Sequence, residues 1–207
     1  MKGKGRYKYA ANFCVDRIIK HWKKAFIAGK RKSTCKFSYE SSFIEFGMLA
    51  EINFKKGYGG YSVDGYTYEG TENEMAHMLV LFTIDPEWLN DYWSEIYFDL
   101  CDVVRHEMEH MTQNGWNEKD FKYIESDTTQ RNLIEAGLLK PYRYLLLPKE
   151  VDANLQGMAF RCRKQRRTFI DVINEYLDRL ELVEEERQEI LEVWRNRSKH
   201  IGGLPKF

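Results

Sequence analysis

His106-Glu107-Met108-Glu109-His110 reads H-E-x-x-H. On an α-helix, residues four apart share one face about a turn apart, so both imidazoles can reach a single metal ion while Glu107 projects beside them. Neutral imidazoles are good ligands for a divalent cation, and a carboxylate next to the metal but not on it can take a proton from water. These residue types at this spacing are suited to metal-assisted hydrolysis. The competing reading is a hydrogen-bonded histidine pair on an ordinary amphipathic helix, with Glu107 neutralised by a buried Arg or Lys.

The helix that must carry the motif has start and stop signals. Asp85-Pro86-Glu87 supplies an N-cap and a proline for the first turn, and Asn114-Gly115 a stop, which predicts a helix over about 86–113 within a segment 86–115. Turned at about 100° per residue from His106, it places Val103, Ile96, Leu100, Met111, Val104 and Met108 on an arc from roughly 60° to 200°. Glu107 falls inside that apolar arc at roughly 100°, whereas Asp102, Arg105 and Glu109 are expected to point away. A lone inward carboxylate costs several kcal/mol unless something pairs with it, and a metal-bound water would be one such partner.

A catalytic zinc site takes three protein ligands and leaves a position for water. Beyond the pair, the chain offers His21, His77, His200 and many carboxylates. Tyr142 to Asn154 reads as a loop entering a second helix, with Pro148 in its first turn and Glu150 and Asp152 just inside. In His106, Glu107, His110 and the Glu150-x-x-Ala153-Asn154 segment, the chain resembles the zincin metallopeptidases of the gluzincin type. The resemblance covers little else. It implies one zinc ion per chain held by His106, His110 and Glu150, with Glu107 as general base, acting on a peptide or protein substrate. Asp152 is the alternative ligand; two residues from Glu150, it points about 200° round the helix, so only one of the two would bind. Asp152 or Asp99 could instead orient a ligand histidine, as an acidic residue often does in that family. No histidine follows shortly after His110, so the metzincin pattern is not met.

On this reading Glu107 would take a proton from the attacking water and pass it to the leaving amine. Tyr142 and Tyr144 are candidate donors to the developing oxyanion, by location alone.

Composition sets the frame. A chain of 207 residues, 43% hydrophobic and 14% aromatic, can bury one sizeable core, so a single domain over 1–207 is expected. With 32 basic and 32 acidic residues the formal charge is zero, which argues against general attraction to nucleic acid or anionic membrane. Cys14, Cys35, Cys101 and Cys162 are scattered without a C-x-x-C. Met1-Lys2-Gly3-Lys4-Gly5-Arg6 lacks the apolar run of a signal peptide, and no stretch is long and apolar enough to span a membrane. A reduced, cytoplasmic protein is the expectation.

Around the motif the chain reads as α+β and zincin-like: a small antiparallel or mixed sheet, then the H-E-x-x-H helix, then a helical C-terminal half. Residues 1–36 make a helix from Ala10 to about Gly29 and a basic linker, Lys30-Arg31-Lys32. Residues 37–85 make the sheet, with strand texture at 43–54 and at 76–84, the latter expected to be buried on both faces or nearly so. Gly57-Tyr58-Gly59-Gly60-Tyr61 and Asp64-Gly65 read as turns, the first as a hairpin loop. The zincin resemblance implies a strand immediately before the metal helix and an exposed strand edge that holds extended substrate.

A short helix is expected at Asp127 to Ala136, ended by Gly137. Over 148–200 the expected helices run 149–164, Thr168 to Leu180 and Glu184 to Ser198, with the basic run Arg161 to Arg167 answering Glu184-Glu185-Glu186. Two further functional readings remain. The fold could keep its metal and serve only to dock a partner. Less favoured is nucleic-acid association through Lys20, Lys23, Lys24, Lys30, Arg31, Lys32 and the 161–167 cluster.

Overall fold

A four-stranded sheet and two long helices build the first of the two units into which the chain divides in this computed structural model, Met1–Met111 and Thr112–Phe207. Residues 4–42, 44–68, 75–113 and 118–207 are described. The strands are β1 (Lys32–Glu40), β2 (Glu45–Phe54), β3 (Tyr61–Tyr68) and β4 (His77–Ile84), and their spatial order is β1-β2-β4-β3. β1 pairs antiparallel with β2, β2 parallel with β4, and β3 antiparallel with β4, so the sheet is mixed and its edges are β1 and β3.

One face of the sheet is the core. Met48, Ala50 and Ile52 of β2 stand opposite Met78, Val80 and Phe82 of β4, all of them buried, as strand alternation requires. Helix α1 (Lys4–Ile27) covers this face through Ala10, Cys14, Ile18, Trp22 and Ala25; the Trp22 ring lies 5.2 Å from that of Phe82. Helix α2 (Leu89–Thr112), which carries His106 and His110, meets the same face through β3 and touches α1 where Trp93 packs edge-on against Phe26.

β4 is not buried on both faces: Leu79, Leu81 and Thr83 are only half-buried, because both helices lie on the other side. The Gly57–Gly60 turn is not a hairpin loop. It joins β2 to β3, and β4 lies between those two strands, a crossover that turn composition does not encode. Asp64-Gly65 is not a turn but the middle of β3. The basic linker is shorter than expected, since β1 already begins at Lys32, which pairs with Glu51.

Helix α2 starts at Leu89 rather than at 86. Asp85 does accept from the Glu87 amide at 3.1 Å, but its second oxygen accepts from Gly59 at 3.2 Å, so it ties down the β2–β3 connection and caps only a turn. The Glu87 amide, followed by those of the 57–59 loop, outweighs burial and holds the Asp85 carboxyl below its ordinary range. The expected helix stop at Asn114-Gly115 and the strand position Phe43 lie outside the described residues.

The second unit is helical: α3 (Glu118–Glu135), a 3₁₀ segment Pro141–Leu146, α4 (Pro148–Gln165), α5 (Phe169–Asp178) and α6 (Glu184–Ser198). Its core gathers Leu145, Val151, Leu155, Met158, Phe169, Ile173, Leu177, Ile190 and Trp194. The indole of Trp194 donates to the Leu145 carbonyl at 2.9 Å in that core. Local chemistry sets the boundaries: Pro148 opens α4, Arg166 ends it in a left-handed conformation, and the Thr168 hydroxyl caps α5 at the Asp171 amide. The expected helix at 127–136 is a turn or more longer on its N-terminal side.

The basic run Arg161 to Arg167, at the end of α4, does not answer Glu184–Glu186. Arg161 and Arg167 converge, with Arg179, on Glu175, and Glu186 pairs with Lys140 at 2.7 Å. Proximity in sequence decides the first pairing: α5 returns directly alongside the end of α4.

Candidate metal centre

His106 and His110 sit one turn apart near the C-terminal end of α2, both half-buried. Their Nε2 atoms are 3.0 Å apart and their rings 4.7 Å apart at 76°. Two nitrogens each bound to a tetrahedral zinc at ordinary lengths would stand about 3.3 Å apart. The pair therefore already has nearly the spacing of two ligands on one ion, and two protonated rings would not approach so closely.

Glu107 is buried, as the apolar arc of the helix requires, with 6% of its surface exposed. Its partner is Thr67 of β3, whose hydroxyl donates to Oε2 at 2.8 Å and lies 3.0 Å from the Glu107 carbonyl oxygen. Among the described residues no Arg or Lys neutralises this carboxylate. Contact with β3 is close along the whole stripe Asp99, Val103, Glu107. Tyr61 donates its hydroxyl to the buried Asp99, and a Cβ placed on Gly65 would come within 2.6 Å of Glu107 Oε1 and 2.7 Å of the Val103 side chain.

Arg105 does not point to solvent as the helical wheel suggests. It is buried, pairs with Glu109 at 2.6 Å and lies over the Tyr7 ring at 5.6 Å. The wheel treats that side as polar; Tyr7 of α1 covers it.

In the second unit Glu150 stands in the first turn of α4, 1% exposed, and pairs with Arg131 of α3. The Arg131 guanidinium also donates to the Tyr144 hydroxyl at 3.1 Å and stacks over that ring at 4.8 Å. Burial, and then the Glu150 charge, push the Tyr144 phenol up to about 12, so it stays protonated at any physiological pH. Asp127, also buried, accepts from the Lys149 amide at 3.3 Å; burial pushes its carboxyl up, and the nearby Glu150 charge adds to this.

The remaining candidates have other engagements. Both oxygens of Asp152 accept from Arg197 at 2.6 Å, tying α4 to α6. Tyr142 donates to Glu189 at 2.7 Å. Compared with known proteins, the chain matches no family model, no curated protein and no solved structure.

Thr67, Arg131 and Asp127 did not stand out in the sequence as site residues, and Gly65 read as part of a turn. No local signal marks them, because their partners lie far away in the chain. Cys14, Cys35, Cys101 and Cys162 are buried, with no disulfide among the described residues, and no described helix is long and apolar enough to cross a membrane.

Proposed function

We propose that the protein is a zinc-dependent hydrolase that cleaves peptide bonds, built in the manner of a gluzincin, with His106, His110 and Glu150 holding the ion and Glu107 as general base. The observation that carries the reading is the 3.0 Å approach of the two imidazole nitrogens beside a buried carboxylate that, among the described residues, no Arg or Lys neutralises. Glu150, 1% exposed in the first turn of α4, is the carboxylate that the reading takes as third ligand. Two imidazoles and a carboxylate suit zinc.

Zinc held this way supplies Lewis acidity, drawing a water's pKa towards neutrality and polarising a carbonyl. Glu107 takes the water's proton as it attacks and returns it to the leaving amine, a role that needs a carboxylate beside the ion rather than on it. Thr67 steadies the acceptor through Oε2. The Tyr144 phenol, protonated across the working range, is hydrogen-bonded to Glu150, and the Tyr142 proton is committed to Glu189, so either would have to release its glutamate to donate to a developing oxyanion. Edge strand β3, antiparallel to β4 and touching Glu107, has the free edge on which an extended peptide could be laid.

The test is cleavage of an unfolded protein mixture by the zinc-loaded protein, with and without a chelator. Chelator-sensitive cleavage that Glu107→Gln abolishes is expected. Zinc uptake at one ion per chain without any cleavage would leave the non-catalytic, partner-docking reading instead.

A further inference from the structure

We infer that Gly65 and Thr67 of edge strand β3 are positioning residues for the Glu107 carboxylate, Thr67 through its hydroxyl and Gly65 through the side chain it lacks. This rests on the reading of Glu107 as the base.

A glutamate side chain has three rotatable bonds, and a proton acceptor is useful only when its oxygen is aimed at the proton. α2 by itself cannot aim it. β3 can, because Tyr61, Gly65 and Thr67 alternate onto the face that meets α2, opposite Asp99, Val103 and Glu107, which follow one another at intervals of four along the helix. The hydroxyl of Thr67 spans Oε2 and the carbonyl oxygen of the same residue, 2.8 and 3.0 Å away, so it anchors the end of the side chain to its own backbone.

Oε1 lies over the Gly65 backbone instead, 2.6 Å from where a Cβ would be. Gly65 is not among the glycines of positive φ, so its backbone does not demand a glycine; the closeness of the carboxylate and of Val103 does. Among the described residues nothing donates a hydrogen bond to Oε1. The two oxygens therefore divide the work: Oε2 is held and Oε1 is left to accept. A bond that only fastened the strand to the helix would not require one carboxylate oxygen to be kept unengaged, nor a glycine beneath it.

The experiment uses the full chain loaded with cobalt(II), whose visible absorption reports the surroundings of the metal, together with cleavage of fluorescein-labelled casein by the zinc form. Thr67→Val keeps the shape and removes the donor. Expected are one metal ion per chain, a shifted cobalt band, a kcat roughly tenfold lower and a KM within twofold, with Thr67→Ser restoring both band and rate. Gly65→Ala, which displaces Oε1 but leaves the hydroxyl in place, should show the same pattern and serves where Thr67→Val fails to fold. Unchanged band and rate in either folded variant overturn the inference for that residue. If the parent protein binds cobalt but cleaves no casein, the peptidase reading falls and the inference is decided by the band alone: a shift that Thr67→Ser reverses upholds it, and no shift overturns it. A parent protein that binds no cobalt removes the metal site and this inference together.

Discussion

His106 Nε2 and His110 Nε2 face each other at 3.0 Å. Either they share a proton or they share a cation, and the two cases respond differently to added zinc. An ion that binds only the folded chain stabilises it by RT ln(1 + [zinc]/Kd), about 4 kcal/mol at a thousandfold excess over Kd. The thermal midpoint should therefore rise with zinc in the parent protein and not in His110→Ala. Differential scanning calorimetry reads this, and an equal rise in both proteins would contradict the ligand assignment.

Glu107→Gln preserves shape and the Thr67 bond but removes the base. It is expected to retain one zinc per chain while losing at least a hundredfold in turnover, the usual scale of a lost general base. Elemental analysis beside a casein assay checks it. Full activity would mean that some other group takes the proton.

Glu150 and Asp152 are separated by their partners. Asp152 is already gripped on both oxygens by Arg197, a tie between α4 and α6, so Asp152→Asn should leave zinc content unchanged and cost about 1 kcal/mol of stability. Glu150→Gln should lose zinc. The opposite pattern in metal analysis would exchange their roles.

Glu175 gives a pH-dependent prediction. Burial pushes its carboxyl up, but the Arg167 bond and the charges of Arg161 and Arg179 outweigh this and hold it below the usual 4.5. A carboxyl whose folded pKa is depressed contributes stability above the unfolded value and loses it as pH falls through the folded one. Glu175→Gln should therefore destabilise at pH 7 by about 2 kcal/mol, since the buried Arg161 loses the opposite charge of Glu175, and the difference from the parent should vanish well below pH 4.5. Urea denaturation at both pH values measures it.

Local signals located the helix around His106 and all three helices after Pro148, because caps, prolines and apolar periodicity act over a few residues. The order β1-β2-β4-β3 was not legible: Gly57–Gly60 has the composition of a hairpin turn, and nothing within it reports that a later strand will enter between its neighbours. Burial of Glu107 followed from the helical wheel; its partner Thr67, forty residues earlier, did not. Arg105 was misplaced for the same reason, because its cover comes from Tyr7, almost a hundred residues away.

The proposed chemistry stands or falls with a zinc ion on His106 and His110. Anomalous difference maps from zinc-loaded crystals, collected on both sides of the zinc edge, would show it. One peak per chain about 2.0–2.1 Å from Nε2 of His106 and of His110, with a Glu150 oxygen completing the protein ligands, is the expected result. Zinc peaks found only elsewhere, with the two imidazoles joined by nothing but a proton, would contradict it.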